Sequence, residues 1–210
     1  MRRGLYALVD TDALARAGRE PVAFAEALLA SASLAALQLR AKHLGARDVL
    51  ALARALAPRC RDVGVDFYVN DRPDVALLAG AVGVHVGLDD LPVAEVRRFA
   101  PGLRVGVSSH TPAELVAALA TGADYVAFGP VFGTRSKDDA ASTTGLDALR
   151  DVAARCEAVG RTLVAIGGIT VSNAPRVREA GVTAGAVISA LVVDDVGGVA
   201  RALHHALGGG

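Results

Sequence analysis

At 210 residues the chain suits one α/β barrel, at the small end of that architecture. Its 52% hydrophobic content and mean hydropathy of +0.40 fit a parallel sheet covered on both faces, whose strands read as unbroken apolar runs. Twenty-two basic residues balance twenty-two acidic ones and only eight residues are Tyr or Phe, which excludes the basic, aromatic-rich surface of a nucleic-acid binder.

The first apolar run, residues 5–9, ends in Asp10. With Arg2 and Arg3 before it, this run is too short for a signal peptide, so a cytoplasmic protein is expected. The stretch 22–39 contains Glu26, Ser31 and Ser33 and reads as a helix over 22–30 followed by a buried strand over 34–39, not as a membrane span. That second run leads into Arg40 and Lys42. A helix over 47–57 follows, then the run 67–69 into Asn70-Asp71. A helix over 73–78 precedes the run 84–86, which ends in Gly87 and Asp89-Asp90. Leu91-Pro92 opens a helix to residue 99, and the run 105–107 ends in Ser108-Ser109-His110. Thr111-Pro112 with Glu114 opens a helix over 111–120. The run 125–128 passes into Gly129-Pro130, and a helix over 145–158 follows. The run 163–166 enters Gly167-Gly168, Thr170 and Ser172 open a helix over 172–180, and the run 186–188 enters Ser189. A helix over 194–207 ends the pattern. Gly64, Gly122, Gly160 and Gly181 stand where left-handed helix C-caps favour glycine.

Eight strand–helix units at spacings of roughly 20–35 residues predict a single (β/α)8 TIM barrel over residues 1–210. In that fold the carboxyl ends of all strands gather at one mouth, where the chemistry sits. Residues 130–144 form a connection long enough to read as a lid over it. Cys60 and Cys156 lie far apart near predicted helix ends without metal-type spacing, and read as buried or idle thiols.

The strand ends carry the candidate chemistry. Asp71 and Asp90 follow adjacent strands, and one or two carboxylates with water and substrate phosphate are the usual way to hold Mg²⁺. The competing reading makes Asp71 a turn residue and Asp90 a helix cap, with Asp89 a rival ligand. Gln38, Arg40 and Lys42 alternate along one side of a strand end, and a guanidinium with an ammonium suits a diphosphate; otherwise they are solvated surface. Lys137 in the lid has the same two readings. Gly167-Gly168 and Ile188-Ser189 end the last two strands, where such barrels commonly bind phosphate. His110 is either an acid–base group or a cap for the helix beginning at Thr111.

The segments Gln38-Leu39-Arg40-Ala41-Lys42, Val69-Asn70-Asp71-Arg72, Gly83-Val84-His85-Val86-Gly87 with Asp90, and Gly106-Val107-Ser108-Ser109-His110 resemble the thiamine phosphate synthase family. So do Ala123-Asp124-Tyr125, Gly129-Pro130-Val131-Phe132 with Thr134 and Lys137, Ala165-Ile166-Gly167-Gly168-Ile169 and Val187-Ile188-Ser189-Ala190, in the family's order and spacing across nearly the whole chain. The resemblance implies a transferase that joins 4-amino-2-methyl-5-hydroxymethylpyrimidine diphosphate to hydroxyethylthiazole phosphate, or its carboxylated form. The products would be thiamine phosphate and pyrophosphate. It implies that Gln38, Arg40, Lys42, Asn70, Ser108 and Lys137 hold the pyrimidine diphosphate, with Arg40, Lys42 and Lys137 as the catalytic cations. Asp71 and Asp90 would bind the Mg²⁺ cofactor, and Thr134, Arg135, Ser136, Gly168, Ile188 and Ser189 the thiazole phosphate.

Three positions depart from the family pattern: Leu88 where Gln is usual, Gly133 where Pro is usual, and Ser136 where Thr is frequent. Gly133 is expected to loosen the lid, and Leu88 removes a polar group beside a metal ligand. A thiazole tautomerase-like enzyme using His110 is the nearest alternative, against which Asp90 argues. A catalytically silent regulator that binds a thiamine precursor is another, against which Arg40, Lys42, Asp71, Asp90 and Lys137 argue together. A sugar-phosphate isomerase would explain Gly167-Gly168 and Ser189 but not the acid pair. The expected partners are small-molecule substrates, with no nucleic acid and no membrane; homo-oligomerisation is left open.

Overall fold

Each apolar run forms a parallel strand, and the eight strands close in chain order into a barrel, β1 pairing with both β2 and β8. A computed structural model describes residues 1–31, 34–133 and 143–210. The elements run β1 (Gly4–Asp10), α1 (Thr11–Arg16), α2 (Pro21–Ser31), β2 (Ala36–Arg40), α3 (Ala46–Asp62), β3 (Asp66–Asn70), α4 (Pro73–Ala79), β4 (Gly83–Val86) and α5 (Val93–Phe99). They continue with β5 (Arg104–Ser109), α6 (Pro112–Ala120), β6 (Tyr125–Phe128), α7 (Gly145–Ala158), β7 (Thr162–Ile166), α8 (Ala174–Glu179), β8 (Ala184–Val187), a 3-10 turn (Ser189–Leu191) and α9 (Val196–Ala206).

Strand alternation divides the apolar residues into two cores. Leu5, Ala7 and Val9 of β1 pack outward with the helices, as do Leu37, Leu39, Phe67 and Val69. Tyr6, Leu8, Ala36, Tyr68, Tyr125, Ala127, Val164 and Ala186 fill the interior. Three tyrosine rings meet there, with centroids 5.5–6.1 Å apart. The glycines beside them make the room. Gly83 pairs with Tyr68 and Gly106 with Tyr125, and a Cβ on Gly106 would lie 2.0 Å from the Tyr125 ring. Large and small residues thus alternate around the barrel, as a filled interior requires.

Local details depart from the sequence reading. Asp10 opens the short, unexpected α1, its Oδ1 accepting from Ala13 N at 2.8 Å. Helix α3 does not stop before Pro58 but runs on to Asp62, and the buried Cys60 ties its last turn to the core. Neither Asp90 nor Ser172 caps a helix. Pro92 precedes α5 without a side-chain cap, and Asn173, not Ser172, takes the Thr170 N–H at 2.8 Å. Cys60 and Cys156 are buried and form no disulfide; burial pushes the Cys60 thiol up to about 12, so it is inert at neutral pH. Among the described residues no helix is long and apolar enough to cross a membrane.

Candidate active site

The inward-facing positions of the strands lead to the mouth in steps of two: Tyr6 and Leu8 to Asp10, Gln38 to Arg40, Tyr68 to Asn70, Gly106 to Ser108. A cavity of 860 Å³ opens there. Gln38, Arg40 and Lys42 line it from the β2 end, Asn70 and Asp71 from β3, Asp90 from beyond β4 and Ser108 from β5; Gly168, Ile188 and Ser189 line it from beyond β7 and β8. Every described residue expected at the site is therefore present at one cavity. Thr134, Arg135, Ser136 and Lys137, with most of the expected lid, lie outside the described residues.

The cations and carboxylates are paired. Arg40 Nη1 donates to Asp10 Oδ2, and Asp10 is 1% exposed. Lys42 Nζ lies 3.1 Å from Asp71 Oδ2, and His43 Nδ1 lies 2.8 Å from Asp12 at the rim. Asp71 has φ +62°, the one left-handed non-glycine among the described residues, and its N–H donates to His85 O at 2.8 Å. That turn brings its carboxyl to the carboxyl of Asp90. Burial and the adjoining Asp90 raise the Asp71 carboxyl above its ordinary range, against the pull of Lys42. Asp90 Oδ2 accepts from Gly87 N at 2.7 Å, so it braces the turn after β4. Asp89 is exposed, and Asp90 is the acid that meets Asp71.

Two acids in contact in a part-buried site call for a proton or a cation between them. Their hard oxygens fit Mg²⁺, which takes one or two carboxylates and completes its shell with water and phosphate oxygen. Among the described residues no group of three or more His, Cys, Asp or Glu gathers to make a fuller protein cage.

Beneath the mouth a hydrogen-bonded chain crosses the barrel. Gln38 Nε2 donates to Tyr6 Oη at 2.8 Å, and the Tyr6 and Tyr125 hydroxyls are 2.9 Å apart. Tyr125 Oη is 2.9 Å from His85 Nδ1, and His85 Nε2 is 2.9 Å from Ser108 Oγ. Tyr6 accepts from Gln38 and shares a proton with Tyr125, and the His85 ring bridges Tyr125 Oη and Ser108 Oγ. Burial raises both Tyr6 and Tyr125 well above the usual phenol range, so the hydroxyls stay protonated. Ser108, expected at the substrate, is thereby oriented from below.

His110 lines the cavity but does not cap the next helix. Thr111 does, accepting from Glu114 N at 3.1 Å, while Glu114 Oε2 accepts from His110 N and from Nδ1 at 2.7 and 3.0 Å. Gly168 has a reason for being glycine that the sequence reading did not supply. Its φ is +64°, and a Cβ would lie 2.6 Å from Gly133 O and 2.7 Å from Phe132 Cβ. Val131 N and Phe132 N donate to Ile166 O and Gly167 O at 2.9 and 3.1 Å, stitching residues 130–133 to the end of β7. Thr144 N donates to Pro130 O at 2.8 Å, so the described ends of the 130–144 connection are fastened together.

Asp10, Tyr6, Tyr125, His85 and Glu114 received no role at the site from sequence. Counting two residues at a time inward from each strand end would have put Asp10, His85 and Tyr6 on the interior face; no local pattern reveals their partners.

The thiamine monophosphate synthase family model matches residues 5–191. A thiamine-phosphate synthase of Methanoculleus marisnigri is 49% identical over 179 residues, covering 84% of this chain and 83% of that protein. One from Methanocella arvoryzae is 44% identical over 205 residues, 97% of this chain and 94% of that one. A solved thiamine phosphate pyrophosphorylase from Pyrococcus furiosus superposes with TM-score 0.86 at 34% identity, covering 97% of this chain and 95% of the other.

Proposed function

This chain belongs to the thiamine monophosphate synthase family and is a transferase, and from that premise we propose that it condenses 4-amino-2-methyl-5-hydroxymethylpyrimidine diphosphate with hydroxyethylthiazole phosphate, releasing pyrophosphate. The observation that carries the reading is the meeting of Asp71 and Asp90 beside Arg40 and Lys42 at one cavity.

A benzylic-type carbon bearing diphosphate ionises once the charge of its leaving group is neutralised. Arg40 offers a forked set of donors and Lys42 a point charge to that diphosphate. Mg²⁺ held by Asp71 and Asp90 would supply further neutralising charge when bound. Gln38, Asn70 and Ser108 hold the pyrimidine diphosphate from the strand ends, Ser108 being oriented by His85. Gly168, Ile188 and Ser189 take the thiazole phosphate across the mouth, with Thr134, Arg135 and Ser136, and Lys137 joins the diphosphate cations. The thiazole nitrogen is already nucleophilic, so no strong general base is needed.

The test is a two-substrate assay with and without Mg²⁺. Pyrophosphate and thiamine phosphate should appear only with both substrates and the metal. Binding without turnover would favour the silent regulator, and isomerisation of the thiazole phosphate alone, lost in His110→Ala, the tautomerase; either result overturns the proposal.

A further inference from the structure

We propose that Asp10 is a positioning residue that sets the guanidinium of Arg40 for the diphosphate, an inference that rests on Arg40 meeting that group as read above. Asp10 and Arg40 are register partners on β1 and β2, at strand positions continuing the inward-facing series Tyr6, Leu8 and Gln38. Both oxygens of Asp10 are committed: Oδ1 accepts from Ala13 N at the start of α1, and Oδ2 takes Arg40 Nη1. The carboxylate is 1% exposed, so Asp10 has no water as an alternative partner, while the Arg40 side chain, 12% exposed, still reaches the cavity. A buried acid held on one side by a helix N-terminus is a fixed anchor, unlike a surface carboxylate on a mobile side chain. One guanidinium nitrogen bound to it restrains the planar fork and leaves the remaining N–H donors for the cavity that Arg40 lines. Lys42, two residues on, is held less rigidly: its side chain is 44% exposed and its partner Asp71 belongs to the acid pair. Asp10 thus gives the β2 end one preset cation and leaves the other adjustable.

Asp10→Asn is the variant of choice, since its amide oxygen still accepts from Ala13 N and keeps the cap while the ion pair is lost. KM for the pyrimidine diphosphate should rise about tenfold or more, the range of a charge-assisted hydrogen bond, while KM for the thiazole phosphate stays within about twofold. In an Arg40→Met background the same change should add nothing, because Asp10 acts through Arg40 alone. Equal rises in both KM values, or additive effects in the double variant, would overturn the inference and leave Asp10 a structural cap. If the wild type proves to make no thiamine phosphate, the function above fails separately; calorimetric binding of inorganic pyrophosphate then reads the same cycle. Loss of affinity in Asp10→Asn that disappears in Arg40→Met supports the positioning role, and unchanged affinity refutes it. Thermal unfolding of each variant excludes a folding defect, and if Asp10→Asn fails to fold, Asp10→Ser, which also caps, takes its place.

Discussion

Removing one oxygen from the barrel interior tests the polar chain beneath the mouth. Tyr125→Phe keeps the ring that fills the space against Gly106, so no cavity opens, but it deletes the hydrogen bonds to Tyr6 Oη and His85 Nδ1, each 2.9 Å. Two such bonds contribute a net of about 0.5–1.5 kcal/mol each, giving a loss of about 1–3 kcal/mol. For 210 residues the unfolding entropy of about 2.1 cal/mol/K per residue makes 1 kcal/mol worth about 2 °C, so Tm should fall by about 2–7 °C. Thermal unfolding at pH 7 measures it, with Tyr6→Phe and the double variant completing a cycle. The double variant should lose less than the sum, because both single changes delete the same Tyr6–Tyr125 bond. His85 would also be less firmly oriented toward Ser108, so KM for the pyrimidine diphosphate should rise more than that for the thiazole phosphate. A Tm within about 1 °C of wild type together with strictly additive effects would refute the cooperative chain.

The acid pair makes a prediction with a definite sign. Burial and Asp90 raise Asp71 above its ordinary 3.8, so in chelator its contribution to stability is fully present below about pH 4 and is lost as pH rises through the folded value. Asp71→Asn should abolish that loss and be at least as stable as wild type at pH 7 without metal. Added Mg²⁺ should then raise Tm in the wild type alone, and a variant that is less stable in chelator would show the raised Asp71 to be misread. Asp90→Ala should slow pyrophosphate release by about 100-fold or more at limiting Mg²⁺ while Asp89→Ala has little effect; the reverse order would move the metal ligand by one residue. Gly168→Ala forces a left-handed alanine against Gly133 O and Phe132, and should cost about 1–3 kcal/mol and expose the Val131 and Phe132 amides to hydrogen exchange. Unchanged protection would refute the packing role, whereas the phosphate role proposed for Gly168 is read separately as a raised KM for thiazole phosphate.

Alternating apolar runs and caps such as Thr111 are local properties of the chain, so the barrel, the order of its units and the strand ends at the mouth were legible from residue order alone. Arg40, Lys42, Asp71 and Asp90 were legible for the same reason: each lies within a few residues of a strand end, and a parallel barrel brings all such ends to one face. Partners were not legible, because they depend on register between strands and on depth inside the barrel. Asp10 meets Arg40 only because β1 and β2 pair in that register, 30 residues apart in sequence. The bond between Tyr6 and Tyr125 spans 119 residues and that between His85 and Tyr125 spans 40, distances over which no sequence pattern operates. Gly168 looked like a glycine for a ligand alone, and tertiary packing adds a second reason, because its Cβ direction points at residues 132 and 133. Residue order determined which groups reach the mouth; only closure of the sheet decided which of them hold one another in place there.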